Sequence, residues 1–327
     1  MRTSPRALVA VASAACMAFV LAACGSSGSS GSDTTSPSGS TDTIASTMVL
    51  GGPPECPTRP YCLIGLEKTY GLKFKSFKPL DVGGPLTVAA LDQNKIQVGM
   101  LYTTSGVIAG KGWILLKDDK KLQPADNVTP VLRNEIISAY GKPLSDLVNG
   151  VSAKITTDVL TDLNKQTDID KKDPDDVAMS WLQSNNLVPP SKVAAKTGPK
   201  IVVGSANFTE NVTLANIYAD MLEANGYPVS KKLNIGARDI YFAALKNNQI
   251  SFLPDYAGSL LTFIDENKPA TSNAETNATQ LAAVLKPLKL TALDATSAVN
   301  VNGYVVTKET ADKYKLVNIS DLAKPAP

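Results

Sequence analysis

The chain has 327 residues, enough for two lobes that each bury a core of their own. It carries 32 basic and 30 acidic residues and no histidine. The missing histidine excludes Ser-His-Asp and Cys-His catalysis and every histidine-based zinc site, and the near-balanced charge gives no support for nucleic-acid binding.

Arg2 and Arg6 precede an apolar run, Ala7 to Ala23, that closes on Leu21-Ala22-Ala23-Cys24. A positive start, a short apolar run and small residues before a cleavage point read as a secretory signal over 1–23. The run is short for a membrane span. Cys24, directly after Leu-Ala-Ala, fits a bacterial lipobox and is the expected lipidation site. Cleavage removes two arginines and no acid, leaving 30 basic against 30 acidic residues. The following tract, GSSGSSGSDTTSPSGSTDT, cannot bury a core, so 24–46 is expected to be a flexible tether. Of four cysteines, Cys56 and Cys62 lie beyond the signal and bracket the loop ECPTRPYC. In an oxidising compartment this pair predicts a disulfide, since two cysteines without histidine make at most half a metal site.

Strand and helix signals then alternate, which predicts α/β layers. Thr47 to Leu50 is a short apolar run. Leu63 to Tyr70 is a predicted helix stopped by Gly71, and Leu72 to Lys75 alternates with strand period. Residues 89–102 read AALDQNKIQVGMLY and residues 243–256 read AALKNNQISFLPDY. Both fit A-A-L-x-x-N-x-I with a tyrosine six residues after the isoleucine. One unit, a helix, a polar turn and a strand ending in an aromatic, is therefore written twice, which predicts two lobes facing each other across a cleft with Tyr102 and Tyr256 at related points. Trp113 to Leu116 reads as a strand, and helices are predicted over Thr157 to Lys165 and Asp175 to Asn185, the latter opened by Asp173-Pro174. The polar, Pro- and Lys-bearing stretch 186–200 looks like a linker. Beyond it, Ile201 to Val203 opens a strand, and Leu214, Ile217, Tyr218, Met221 and Leu222 line one face of a helix.

Residues 201–266, with G-S-x-N-F-T-E followed by a Tyr-x-Gly motif at Tyr256, resemble the start of the substrate-binding proteins of osmoprotectant ABC transporters. Residues 301–322 resemble the middle of such proteins, and residues 49–188, including GGPPECPTRP, KTYGLKF and LYTTSG, resemble their second half. The order of these parts is that of a circular permutant, with the joint between DLAKPAP at the C-terminus and STMVLGG near the start. The resemblance implies a two-lobed, type II periplasmic-binding-protein-like α/β fold, circularly permuted. One lobe is expected from both chain ends, 47–101 and 301–327, and a continuous lobe from 102–300. Crossovers are expected near Tyr102 to Thr104 and Asn300 to Asn302, and 186–200 becomes the bridge between the family's own termini. Exchange of half-domains between chains and a rearranged gene are the alternatives to a folded, monomeric permutant.

Quaternary ammonium groups donate no hydrogen bond and are recognised by aromatic faces, whereas a carboxylate takes a guanidinium fork or helix-start amides. Tyr102 and Tyr256 match cage aromatics of the family. Arg59 in the cysteine loop and Ser259 match its carboxylate-binding groups. Asn300 and Asn302 stand where relatives carry Asp and Tyr, Asp126 falls on or near a later cage tyrosine, and Ala206 replaces a Lys or Gln. The resemblance implies no enzyme and no cofactor. It implies an extracytoplasmic receptor, lipid-anchored to the bacterial membrane, that captures a small zwitterionic or cationic osmoprotectant (betaine, choline or carnitine class) and passes it to an ABC permease by lobe closure. The substitutions around the cage leave room for a more polar zwitterion. A sensory or adhesive lipoprotein without a transport role is the other class.

Overall fold

The computed structural model describes residues 42–81 and 83–327. The expected signal, Cys24 and most of the expected tether lie outside the described residues. Among the described residues ten strands form two sheets: β1 Val49–Gly52, β2 Ser76–Pro79, β3 Val98–Tyr102, β4 Ile114–Leu116, β5 Val128–Arg133, β6 Ile201–Gly204, β7 Val229–Lys232, β8 Phe252–Tyr256, β9 Leu290–Ala292 and β10 Asn302–Val306. The first sheet runs β2-β1-β3-β10-β4 and the second β7-β6-β8-β5-β9. In each, the first three strands are parallel and the fourth antiparallel, and helices connect the parallel strands as a parallel ladder requires. This is the two-lobed, periplasmic-binding-protein-like α/β architecture.

Each sheet takes its antiparallel strand from the other half of the chain. From β4 the chain crosses through 117–127 to β5 in the second sheet, and from β9 it crosses through 293–301 to β10 in the first. The two crossings run side by side, with Asn127 bridged antiparallel to Val299. The repeat lands symmetrically: helix Pro85–Asp92 feeds β3, helix Arg238–Lys246 feeds β8, and these are the central strands of their sheets.

Several expectations need correction. The first crossing is not at Tyr102 to Thr104, because after β3 the chain turns into helix Gly106–Lys111 and returns as β4, pairing Leu115 with Val305. Residues up to Leu116 therefore contribute to the lobe built from the chain ends. The tether stops short of residue 46, since Ile44 and Ala45 are buried in that lobe's core. Leu72 to Lys75 is an extended lead-in rather than a strand. Its alternation comes from Leu72 and Phe74 packing against the core, and pairing with β1 starts only at Ser76. The apolar stripe on helix Thr209–Ala224 is part of something larger. Every residue from Glu210 to Leu222 is buried, because the sheet covers one side and helices Asn134–Ser152, Thr157–Asn164 and Pro174–Ser184 pack on the others.

The described ends of the chain meet. Ile44 N donates to Lys324 O at 2.9 Å, Ala326 N to Asp42 O at 2.7 Å, and Thr43 bridges Pro325. Stretch 186–200 is irregular and lies over the end of the buried helix, where Lys196 N donates to Gly226 O at 2.7 Å. Among the described residues no helix is long and apolar enough to cross a membrane.

Candidate functional site

The candidate residues other than Arg59 gather around the paired crossings. Tyr256 ends β8, and its hydroxyl donates to Glu210 Oε1. Asn300, on the second crossing, donates its Nδ2 to the same oxygen at 2.8 Å, and Asn164 Nδ2 donates to Glu210 Oε2 at 2.6 Å and to Thr104 O at 2.7 Å. Glu210 is only 6% exposed, and no Lys or Arg among the described residues pairs with it. One carboxylate thus ties β8, the second crossing, the helix Thr157–Asn164 and the turn after β3. Phe208 stacks on Tyr256 with ring centroids 6.2 Å apart and planes at 27°, and it remains substantially exposed. Burial drives the Tyr256 phenol well above its ordinary pKa, and the neighbouring Glu210 adds to this, so the hydroxyl stays a donor.

Tyr102 ends β3 and is 50% exposed, opposite Asn302 across the β3–β10 ladder. Among the described residues no ring contact joins Tyr102 to Tyr256, which occupy matching ends of the two central strands. Asn302 lines a cavity of about 430 Å³ beside the crossings, together with Thr103, Gln123 and Tyr304.

Asp126 and Ser259 come together directly. Helix Ala257–Ile264 starts at Tyr256, and Asp126 on the first crossing accepts from Ser259 N at 2.8 Å and from Ser259 Oγ. Asp126 thus caps this helix from outside the helix's own sequence. Gly258 makes the approach possible: a Cβ there would sit 2.9 Å from Ala125 O and from the Ala270 side chain. Because the hydroxyl proton of Ser259 is spent on Asp126, Ser259 is not a free donor in this structure. Both residues line a cleft of about 600 Å³ whose other walls include Tyr61, Arg238, Thr262 and Phe263. Cys56 and Cys62 are bonded with Cα atoms 5.2 Å apart, and their loop presents Tyr61 to this cleft. Arg59 from the same loop points elsewhere, pairing with Glu55 at 3.0 Å in an exposed ion pair. Among the described residues no group of three His, Cys, Asp or Glu is placed to hold a metal.

Burial raises the Asp126 carboxyl above its ordinary 3.8, against the Ser259 bonds and the charge of Arg238. The folded chain therefore binds this proton more tightly than the unfolded chain does. Its contribution to stability is present at low pH and is lost as pH rises through the folded value. Asp126→Asn cannot ionise and keeps an oxygen for Ser259 N. It should flatten the fall in urea-unfolding stability above pH 3.8 and be at least as stable as wild type at pH 7.

Sequence reasoning did not reach Glu210, Phe208 or Arg238 as site residues. Phe208 and Glu210 were visible inside the N-F-T-E signature, but the bonds that give Glu210 its role come from residues 46 and 90 positions away.

The chain matches the family model described as the substrate binding domain of ABC-type glycine betaine transport systems over residues 33–184 and 199–327. It is similar to the carnitine transport binding protein OpuCC of Listeria monocytogenes, 34% identical over 120 residues, covering 37% of this chain and 38% of the relative. It is also similar to the glycine betaine-binding protein YehZ of Escherichia coli, 27% identical over 146 residues, 44% of this chain and 48% of the relative. A third relative is the ergothioneine transport permease/ergothioneine binding protein EgtU of Helicobacter pylori, 32% identical over 123 residues, 38% of this chain and 22% of the relative. These matches span less than half the length of the relatives. Among solved structures, one described as a glycine betaine/carnitine/choline ABC transporter is 27% identical, covers 43% of this chain and 51% of that chain, and has a TM-score of 0.38. Most of the chain is accounted for by the family model, and the chain belongs to the family of substrate-binding domains of ABC-type glycine betaine transport systems.

Proposed function

We propose that this chain is a solute-binding protein that captures a quaternary-amine osmoprotectant of the betaine, choline or carnitine class and hands it to an ABC permease when its lobes close. The observation that carries this is the aromatic strand end beside the crossings. Tyr256, fixed through its hydroxyl by Glu210 and stacked with Phe208, faces the hinge from one lobe, and exposed Tyr102 ends the matching strand of the other. The exposed faces of Tyr102 and Phe208 suit a cation that cannot donate hydrogen bonds, with Tyr256 buried behind Phe208. Two adjacent, antiparallel crossings suit hinge closure, in which ligand selects the closed state. Its location is extracytoplasmic; Cys24 is the lipid attachment point, and the receptor is a monomer.

The chain is a circular permutant of its family. Three observations support this: the described ends are hydrogen-bonded to each other, the family match breaks at 185–198 where the old termini would be joined, and the relatives align to this chain over one stretch each. Asn300, Asn302 and Asp126 near the crossings favour a ligand with more polar groups as the second reading. Calorimetry of the folded protein against glycine betaine, carnitine, choline and ergothioneine tests both. Binding of one of the first three supports the osmoprotectant class, and binding of ergothioneine alone supports the second reading. A folded protein that binds none removes both. Loss of uptake on gene deletion separates a transport receptor from a sensory or adhesive one.

A further inference from the structure

The crossings are not the only joint between the lobes. Helix Gly106–Lys111 belongs to the lobe built from the chain ends, where Ile108 packs with Leu101 and Val305. It lies against helix Thr157–Asn164 and the turn Lys165–Ile169 that continues it, and Leu160 and Leu163 of that helix belong to the core of the other lobe. The approach is between backbones. A Cβ on Gly106 would stand 2.4 Å from Lys165 N, 2.5 Å from Asn164 C and 2.7 Å from Asn164 O. Only a glycine fits there. The helix it presses on widens into a π turn at Lys165, at the point of contact. Gly110, four residues on along the same helix, has ordinary clearance, with Ile169 side-chain carbons 3.7 Å from its ideal Cβ. Hydrogen bonds hold this seam to the second crossing. Asn164 Nδ2 donates to Thr104 O at 2.7 Å, Thr103 N donates to Val301 O at 2.9 Å, and Val301 N donates to Thr103 Oγ1 at 3.1 Å. Gly106 is therefore three residues from a direct partner of the crossing, and a rotation about the crossings moves such atoms least.

We propose that the Gly106 seam is the pivot of lobe closure. Helix Gly106–Lys111 rolls on the backbone of Asn164 and Lys165, the seam stays in contact with and without ligand, and its spacing sets where the two sides of the cleft meet. This rests on the lobe closure read above and names the surface that guides it. Two extended crossings alone bend in several directions, whereas a close-packed contact beside them leaves one easy rotation. Gly106 is a positioning residue, buried in the seam.

The test compares Gly106→Ala with Gly110→Ala, which add the same methyl to the same helix and differ in clearance. Nitroxides on p-acetylphenylalanine placed at Leu86 and Ile240, exposed positions on opposite lobes, report the lobe separation by pulsed dipolar EPR and leave the cysteines untouched. A methyl at Gly106 needs about 1 Å more room, from 2.4 Å to the 3.4 Å of ordinary contact. Displacement grows with distance from the axis, so Gly106→Ala should shift the label separation by about 2 Å or more, and Gly110→Ala by less than about 1 Å. The shift should appear without ligand and again with glycine betaine, carnitine or choline bound. Calorimetry should show affinity for whichever of these binds weakened about tenfold in Gly106→Ala and unchanged in Gly110→Ala. A folded Gly106→Ala with the wild-type separation overturns the pivot. So does an equal shift in Gly110→Ala, or a shift seen only with ligand, which marks a latch made on closure. If Gly106→Ala does not fold, labels across the seam, at Ala109 and Asp168 of the otherwise wild-type chain, decide. Their separation should hold on ligand addition while the 86–240 pair closes, and a seam pair that moves as far overturns the proposal. A chain that binds none of the three ligands loses the osmoprotectant reading, and the ligand-free shift then tests the pivot alone.

Discussion

Glu210→Ala should lower the free energy of unfolding by about 3–6 kcal/mol, measured from urea midpoints at constant m-value. Two buried donors, Tyr256 Oη and Asn164 Nδ2, and the partly buried Asn300 Nδ2 would lose this acceptor at once, Asn164 keeping only Thr104 O, and each orphaned N–H or O–H costs about 1–3 kcal/mol. The loss falls where the two lobes are joined, so ligand affinity should drop with stability. Glu210→Gln should recover more than half of the loss. Its oxygen can still take Tyr256 and Asn300, but its amide would face the Asn164 amide. Asn164 can answer by turning its Oδ1, which has no partner in wild type, toward the new donor. That turn gives up the bond to Thr104 O, so the recovery is incomplete. A Glu210→Ala protein within about 1 kcal/mol of wild type would mean that water replaces the carboxylate and that the network does not hold the crossings.

The second large effect is expected at Asn277, fully buried on the helix Ala274–Leu285. Its Oδ1 accepts from Thr271 N and Thr271 Oγ1, each at 2.9 Å, and its Nδ2 donates to Ala125 O and Thr271 O, each at 2.8 Å. Ala125 immediately precedes Asp126, so this one amide pins the first crossing where it meets the cleft. Asn277→Ala orphans Thr271 N and Ala125 O and should cost about 2–4 kcal/mol by urea unfolding. It should also speed amide exchange at Ala125, Asp126 and Asn127, a local readout that a general loss of core packing would not single out. Unchanged exchange there would show that the crossing is held by its strand pairing alone.

The duplicated A-A-L motif carried the fold because its information is local. The helix, turn and strand are contiguous, and a tyrosine at the strand end falls on a central strand whenever the unit repeats. The same motif was silent on environment. Tyr102 and Tyr256 hold equivalent positions, yet one is 50% and the other 5% exposed. The difference comes from Phe208 and Glu210, which reach Tyr256 from an element more than forty residues earlier. The sheet membership of β4 escaped for a similar reason. The alternation of a three-residue strand cannot say whether the chain has crossed, and only its pairing with β10, nearly two hundred residues later, decides it. Arg59 was placed by resemblance, and the local signal that its Nη2 would pair with Glu55, four residues back, was left unread. Asp126 and Ser259 were each visible, but as separate ligand groups. Their bond joins positions 133 apart, and no local pattern encodes it.

The reciprocal placement of β5 and β10 has a consequence for how this architecture is wired. Each half of the chain supplies four strands to its own sheet and lends one to the other. Topologically the molecule is a strand-swapped dimer whose two subunits share one polypeptide, with the segment 186–200 as the splice. In such an object the order of the subunits along the chain is a matter of where the splice sits. Exchanging first half for second leaves every sheet neighbour in place, so the fold is indifferent to a reordering that would scramble a less symmetric one.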